Sequence, residues 1–195
     1  MAPRNTNETL TVPAEVRAVI SKLQAAGFEA YAVGGCVRDI LLERKPDDWD
    51  VTTNAMPEQI REIFPESFYE NKFFTVTVKT GVEDQALREI EVTTFRSEGR
   101  YEDLRHPADV KPAKTLEEDL SRRDFTVNAM AIAIEAKGQK TKDESTKVID
   151  PFVGQQDLDA KLIRAVGDAN ERFSEDALRM LRAVRFAAEI GFTIE

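Results

Sequence analysis

The sequence predicts an α+β fold: a small mixed β-sheet flanked by helices, followed by an α-helical segment. Two observations lead there. Short β-rich runs at 28–33, 49–52, 73–80 and 86–95 are interleaved with stretches that carry helix start and stop residues. Beyond about residue 148 the signals are mainly helical, and no internal repeat is visible. With 42% hydrophobic and 32% charged residues, the composition is that of an ordinary globular chain.

Each element has a local cause. Residues 13–26 read as a helix: Pro13 suits its first turn, Val16, Val19, Ile20 and Leu23 form one apolar stripe, and Gly27 stops it. A strand over 28–33 is followed by a short helix over 37–43 and a strand over 49–52. Pro57 opens a helix that ends at Phe64, before Pro65. The Thr/Val alternation of 73–80 predicts a strand, and 81–85 a hairpin turn into a strand over 86–95. Residues 96–115 are polar, contain Gly99, Pro107 and Pro112, and read as one long functional loop. Segments 115–121 and 125–134 read as helices. The charged stretch 137–147 is the best boundary, dividing a catalytic domain over 1–140 from a helical segment over 148–195. A turn at 150–154 and a mixed segment at 158–166 precede a helix over 174–190. Ser174 caps that helix, Glu175 and Asp176 favour its positive end, and Gly191 ends it.

Composition also excludes. A single cysteine, Cys36, leaves no internal disulfide and fits a reducing, cytoplasmic setting. A single histidine, His106, argues against His-based metal sites and a Ser-His-Asp triad, and zinc has no ligand set. The N-terminus is polar and no run approaches the length of a membrane span, so no membrane partner is expected. The net charge of −9 argues against a generic nucleic-acid binder, though not against a local basic groove.

Chemistry concentrates in four places. Gly34-Gly35-Cys36-Val37-Arg38-Asp39 forms a glycine turn after an apolar run, and Asp48-Trp49-Asp50 follows. In extended chain, residues i and i+2 share a face, so Asp48 and Asp50 project together and need a cation between them. Two carboxylates suit Mg²⁺, which takes one or two such ligands plus substrate phosphates. The glycine turn supplies backbone N–H groups for those phosphates. Arg38 reads either as a bidentate grip on phosphate or as an ion-pair partner of Asp39 or Asp50. Glu91, in Glu89-Ile90-Glu91, reads either as a third catalytic carboxylate or as part of an exposed edge-strand face.

In Arg122-Arg123-Asp124-Phe125-Thr126-Val127-Asn128, two guanidinium groups stand at an expected helix start, where positive charge is unfavourable. That points to a nearby anion, with Asn128 on the face of Asp124 and able to bond a ribose hydroxyl. Glu175, Asp176, Arg179 and Arg182 share one helical face, a spacing that by itself reads as a solvated charge ladder.

Taken together, GGCVRD with DDWD, VTTFR, RRDFTVNAMA, DPFVGQQDLDAKLIRAVGD and FSEDALRMLRAVRFAAEIGF resemble the class II tRNA nucleotidyltransferases (CCA-adding enzymes) and the bacterial poly(A) polymerases. These families belong to the DNA polymerase beta-like nucleotidyltransferase superfamily. The resemblance covers nearly the whole chain from about residue 28. It implies a nucleotidyltransferase head followed by the start of a helical neck, with further tRNA-binding helices beyond. It implies Asp48 and Asp50 as ligands of catalytic Mg²⁺, and Gly34, Gly35 and Arg38 at the triphosphate. Arg123, Asp124 and Asn128 would line the ribose and phosphate region. Residues 150–159 resemble a hinge, and 96–112 a loop that assists the switch from C to A. Asp176 and Arg179, with Arg182 a turn on, would meet the incoming base. The implied activity is addition of C and A to tRNA 3′ ends from CTP and ATP. The alternatives are poly(A), CC-only or A-only addition, or a non-catalytic nucleotide-binding module.

Overall fold

The computed structural model describes residues 10–69, 73–99, 110–135 and 145–195. The chain runs through α1 (Ala14–Ala25), β1 (Ala30–Val33), α2 (Gly35–Leu41), β2 (Asp50–Thr53), α3 (Pro57–Ile63) and β3 (Ser67–Tyr69). Then come β4 (Thr75–Lys79), β5 (Glu89–Thr94), β6 (Arg96–Glu98), β7 (Val110–Pro112), α4 (Leu116–Ser121), β8 (Ala131–Glu135) and β9 (Ser145–Ile149). The last elements are α5 (Gly154–Ala160), β10 (Leu162–Ile163), α6 (Ala169–Glu175), α7 (Leu178–Ile190) and β11 (Thr193–Ile194).

Seven strands form one sheet in the order β3-β4-β5-β2-β1-β8-β9. β2 and β5 are parallel and the other pairs antiparallel, so the sheet is mixed, as the sequence predicts. Strand alternation separates its two faces. Val51, Val76, Val78, Ile90 and Val92 join the apolar stripe of α1 and Ile60 of α3 in the main core. The opposite face carries a smaller cluster of Val33, Phe95, Leu116, Leu120 and Ala131 beneath α4. Asp50 and Thr52 point to that second face, because Val51 between them points into the main core.

Two sequence expectations, the helices over 125–134 and 174–190, are corrected. Residues 125–134 are not a helix: a 3₁₀ turn at Thr126–Asn128 leads into β8, which hydrogen-bonds β1 on one side and β9 on the other. Two-sided pairing outweighs the helix preference of an Ala/Met-rich run. Of the charged stretch 137–147, the described residues 145–147 belong to β9, which pairs with β8 from Ser145 opposite Glu135. The expected helix over 174–190 is two helices. Asp176 takes an extended backbone (φ −137°, ψ 108°) that ends α6, and α7 starts at Leu178.

The expected 96–115 loop is framed by a two-stranded ribbon that pairs Arg96 with Pro112 and Glu98 with Val110. Most of its interior, including His106, lies outside the described residues. α4 begins as expected: the Thr115 side chain accepts the Glu118 N–H at 3.2 Å.

The segment likened to a hinge is closely packed. Asp150 accepts the N–H groups of Gly154 and Gln155 at 2.7 and 2.9 Å, which starts α5 without a capping side chain at Val153. A Cβ on Gly154 would run into the Thr126 carbonyl oxygen and come within 3.0 Å of Met130. Gly154→Ala is therefore expected to destabilise the fold by about 3 kcal/mol. That corresponds to a Tm lower by roughly 6–12 °C for a chain of this size, measurable by thermal unfolding. An unchanged Tm would show that α5 is free to move away from the 3₁₀ turn.

Candidate active site

The site lies where β1 ends and β2 begins, at the middle of the sheet. Gly34 turns the chain from β1 into α2 with φ +85° and ψ −134°, a conformation open to glycine and strained for other residues. Its N–H donates to the Met130 carbonyl at 3.2 Å. The space beside Gly34 is filled by two charged side chains: a Cβ there would lie 2.8 Å from Arg123 Nη1 and 3.6 Å from Asp50 Oδ2. Turn, guanidinium and carboxylate thus converge on one point. α2 has only seven residues, so the backbone groups and Arg123, more than a helix dipole, would meet an anion.

Asp48 is exposed just ahead of β2 and Asp50 is the first residue of the strand, while Trp49 between them is buried. The two carboxylates therefore emerge on one side. Burial pushes the Asp50 carboxyl up to about 6 from an ordinary 3.8; Arg123 opposes this, and the charges of Asp48 and Glu91 add to it. A cation would relieve all three unfavourable contributions. Among the described residues no group of three or more His, Cys, Asp or Glu could hold a metal by itself. The donor set is thus a carboxylate pair, as suits a hard cation completed by substrate phosphate and water.

Glu91 stands directly opposite Asp50 in the register of β2 and β5. The same rung continues through Thr77 on β4 to Phe68 on β3. Asp48, Asp50, Glu91, Thr77 and Phe68 all line one cleft of about 970 Å³. Lys79 lies over the Phe68 ring at 5.6 Å.

Behind the turn, Arg38 and Arg182 are organised by carboxylates. Arg38 closes its fork on Asp39 at 2.9 and 3.0 Å and donates through Nη1 to Asn128 Oδ1 at 2.9 Å. The bidentate grip considered for phosphate is therefore occupied by the neighbouring aspartate. Asn128 Nδ2 donates to Asp124 Oδ1 at 3.4 Å, and Arg182 Nε donates to Asp124 Oδ2 at 2.7 Å. Asp124 and Asn128 thus meet although no helix joins them. The Phe186 ring packs edge-on against Phe125 and carries Arg38, Arg182 and Arg185 about its face at 5.2, 5.1 and 4.9 Å.

Arg179 is only 5% exposed and fixed on several sides. It donates to Glu175 at 2.6 Å and to the carbonyls of Arg172 and Arg122 at 3.1 and 3.3 Å. Asp176 Oδ1 accepts the Leu178 N–H at 2.9 Å and so opens α7. The helix break separates Asp176 from Arg179, which were expected on one continuous helix.

The sequence reading missed Asp119. It is 0% exposed on α4 and binds Arg122 through Nε and Nη2 at 3.1 and 2.9 Å. Its signal was available in part: Arg122 and Arg123 lie three and four residues further on, positions a helical side chain reaches. Burial alone would raise this carboxyl, but Arg122, then Arg123 and the Arg96 N–H, hold it below the ordinary 3.8. A depressed folded value means stability that is present above the unfolded value and lost as pH falls through the folded one. The Tm difference between wild type and Asp119→Asn should therefore be fully present above the unfolded carboxyl value and shrink as pH falls below it. A gap that stays constant as pH falls would remove the charge from the explanation.

The chain is similar to known proteins. The chain is 50% identical over 179 residues to the CCA-adding enzyme of Listeria monocytogenes, covering 91% of this chain and 42% of that protein. It is 45% identical over 187 residues to the CCA-adding enzyme of Streptococcus mutans, again covering 42% of the relative. Among solved structures it is similar to the Bacillus stearothermophilus CCA-adding enzyme in complex with CTP, with a TM-score of 0.77 and 39% identity. That match covers 94% of this chain and 42% of the other. It is also similar to a tRNA nucleotidyltransferase complexed with a primer tRNA and an incoming ATP analog (TM-score 0.68, 34% identity, 91% of this chain and 46% of that one). The chain thus spans about two fifths of the length of the curated relatives it matches. A family model for the poly A polymerase head domain matches residues 30–164, more than half of the chain, and the chain belongs to that family.

Proposed function

We propose that this chain carries the catalytic part of a template-independent nucleotidyltransferase that adds C and A to tRNA 3′ ends from CTP and ATP. The observation that carries the reading is the Asp48–Asp50 pair, faced by Glu91 and set beside the Gly34 turn and Arg123. The names of the relatives and the CTP and primer-tRNA complexes of similar structures support the choice of substrate. In this reading Arg123 and the Gly34–Gly35 turn receive the triphosphate, and Asn128 and Asp124 face the ribose. Mg²⁺ held by Asp48 and Asp50 would polarise the phosphoryl oxygens and lower the pKa of the RNA 3′-hydroxyl. Glu91 would add a third carboxylate at the reacting oxygen. The head would end with β9 and the neck begin at the 150–154 turn. A cytoplasmic setting fits the single, buried, free cysteine. Among the described residues no helix is long and apolar enough to cross a membrane.

Base choice would lie with Asp176 and Arg179. A carboxylate accepts and a guanidinium donates, which matches the donor–acceptor edges of cytosine and adenine and opposes those of uracil and guanine. Removing either group should relax roughly 10³-fold discrimination against UTP and GTP while changing triphosphate affinity far less. The test is incorporation of each NTP into tRNA lacking its terminal CCA, with sequencing of the product 3′ ends, by a protein carrying its family's full length. Strict C and A addition supports the reading, and long A tails would favour the poly(A) alternative suggested by the family's description. Unchanged selectivity in Asp176→Ala and Arg179→Ala would place base choice elsewhere.

A further inference from the structure

Asp119 does more than neutralise one neighbour. Its Oδ1 accepts from Arg122 Nη2 and, at 3.2 Å, from the backbone N–H of Arg96, the first residue of the β6–β7 ribbon. Its Oδ2 accepts from Thr52 Oγ1 at 3.1 Å and faces Arg123 Nη2 at 3.9 Å. Thr52 lies two residues along β2 from Asp50 and on the same face. One buried carboxylate therefore touches the strand of the metal pair, the root of the ribbon and both guanidinium groups.

Arg38, Arg122, Arg123 and Arg182 are held unequally. Arg38 has Asp39, Arg122 has Asp119 and Arg182 has Asp124, each through hydrogen bonds of 2.7–3.1 Å. Arg123 has the same Asp119 only at ion-pair distance, and Nη1 reaches the Asn128 carbonyl at a long 3.5 Å. Its buried Nε has no hydrogen-bond partner among the described residues. The guanidinium is thus attracted from behind while its donors stay available in front, toward Gly34 and Asp50. A buried ion pair does not by itself stabilise a fold more than an apolar replacement would. Its worth here lies in placing a charge.

We propose that Asp119 is a positioning residue that holds the Arg123 guanidinium at the Gly34–Asp50 junction, ready for an oxygen of the incoming triphosphate, and that ties this placement to the root of the β6–β7 ribbon. This rests on the reading of that junction as a triphosphate site. Asp119 touches no substrate in this arrangement. Its effect passes through Arg123, so the two residues must be energetically coupled.

The experiment is a double-mutant cycle read by calorimetric binding of tripolyphosphate with Mg²⁺, which needs no turnover. Asp119→Asn should weaken binding by roughly tenfold or more, as expected when a buried charge-assisted contact is misplaced. In an Arg123→Met background the same change should alter affinity less than about twofold, because nothing remains to be placed. Independent, additive losses would overturn the proposal, since a merely structural carboxylate would weaken both backgrounds alike. If Asp119→Asn does not fold, Thr52→Val replaces it in the cycle. That variant removes only the hydroxyl that steadies Oδ2, and roughly a threefold loss confined to the Arg123 background supports the proposal. An unchanged affinity overturns it. A wild-type chain that binds no tripolyphosphate would instead overturn the triphosphate reading itself, and this proposal with it.

Discussion

Asp48→Ala and Asp50→Ala are each expected to lower nucleotide transfer by at least about 10³-fold while leaving the fold in place. The two carboxylates sit at the edge of a cleft, outside both apolar clusters, so truncation leaves no cavity in the core. Burial and the charges of Asp48 and Glu91 disfavour the charged form of Asp50 and Arg123 favours it, so its loss removes repulsion and attraction together and should cost little stability in the metal-free protein. Activity should therefore fall far more than stability. The measurement pairs labelled CTP incorporation with thermal unfolding in a chelating buffer. Near wild-type transfer by both variants would end the assignment. A large loss of Tm would mean that the pair is structural.

Gly34→Ala is expected to cost about 10²-fold or more in transfer, through two independent causes. The backbone at φ +85° excludes an L side chain without strain of about 1–2 kcal/mol. The added methyl would also stand 2.8 Å from Arg123 Nη1 and push the guanidinium off the site. If the second cause dominates, KM for the NTP should rise much more than Tm falls. Gly81 is the control: it has φ +82°, but a methyl added there would meet nothing within 4 Å, so Gly81→Ala should show the strain alone. Equal behaviour of the two variants would mean that Arg123 yields freely and contributes little.

Much of this was legible because its causes are local. Pro13 and Gly27 bracket α1, and the Thr/Val alternation of β4 separates a core face from a cleft face. Gly34 and the Asp48–Asp50 spacing carry their geometry within a few residues. What escaped depends on partners far along the chain. Ala131 to Ile134 suit a helix until β1 and β9 are placed on either side. Glu175-Asp176 serves equally as a helix start or as a break, and Asp176 settles it by accepting the Leu178 N–H. Asp119 is defined by Thr52, 67 residues away, and by the Arg96 backbone, neither of which any spacing rule reaches.

The rung that runs from Asp50 through Glu91 and Thr77 to Phe68 has a mechanical meaning. Neighbouring strands lie about 4.8 Å apart, so three steps place Phe68 roughly 14 Å from Asp50 along a line set by backbone hydrogen bonds. Such a line behaves as a ruler. Exchanging Phe68 or Thr77 alters what is marked on it and leaves the interval unchanged. The interval changes only if a strand slips, and a one-residue slip of β5 would turn Glu91 into the core and expose Ile90 or Val92 in its place. The apolar face of β5 therefore guards the spacing of its polar face. Side-chain chemistry along this cleft is free to diversify over a length scale that the core does not allow to drift.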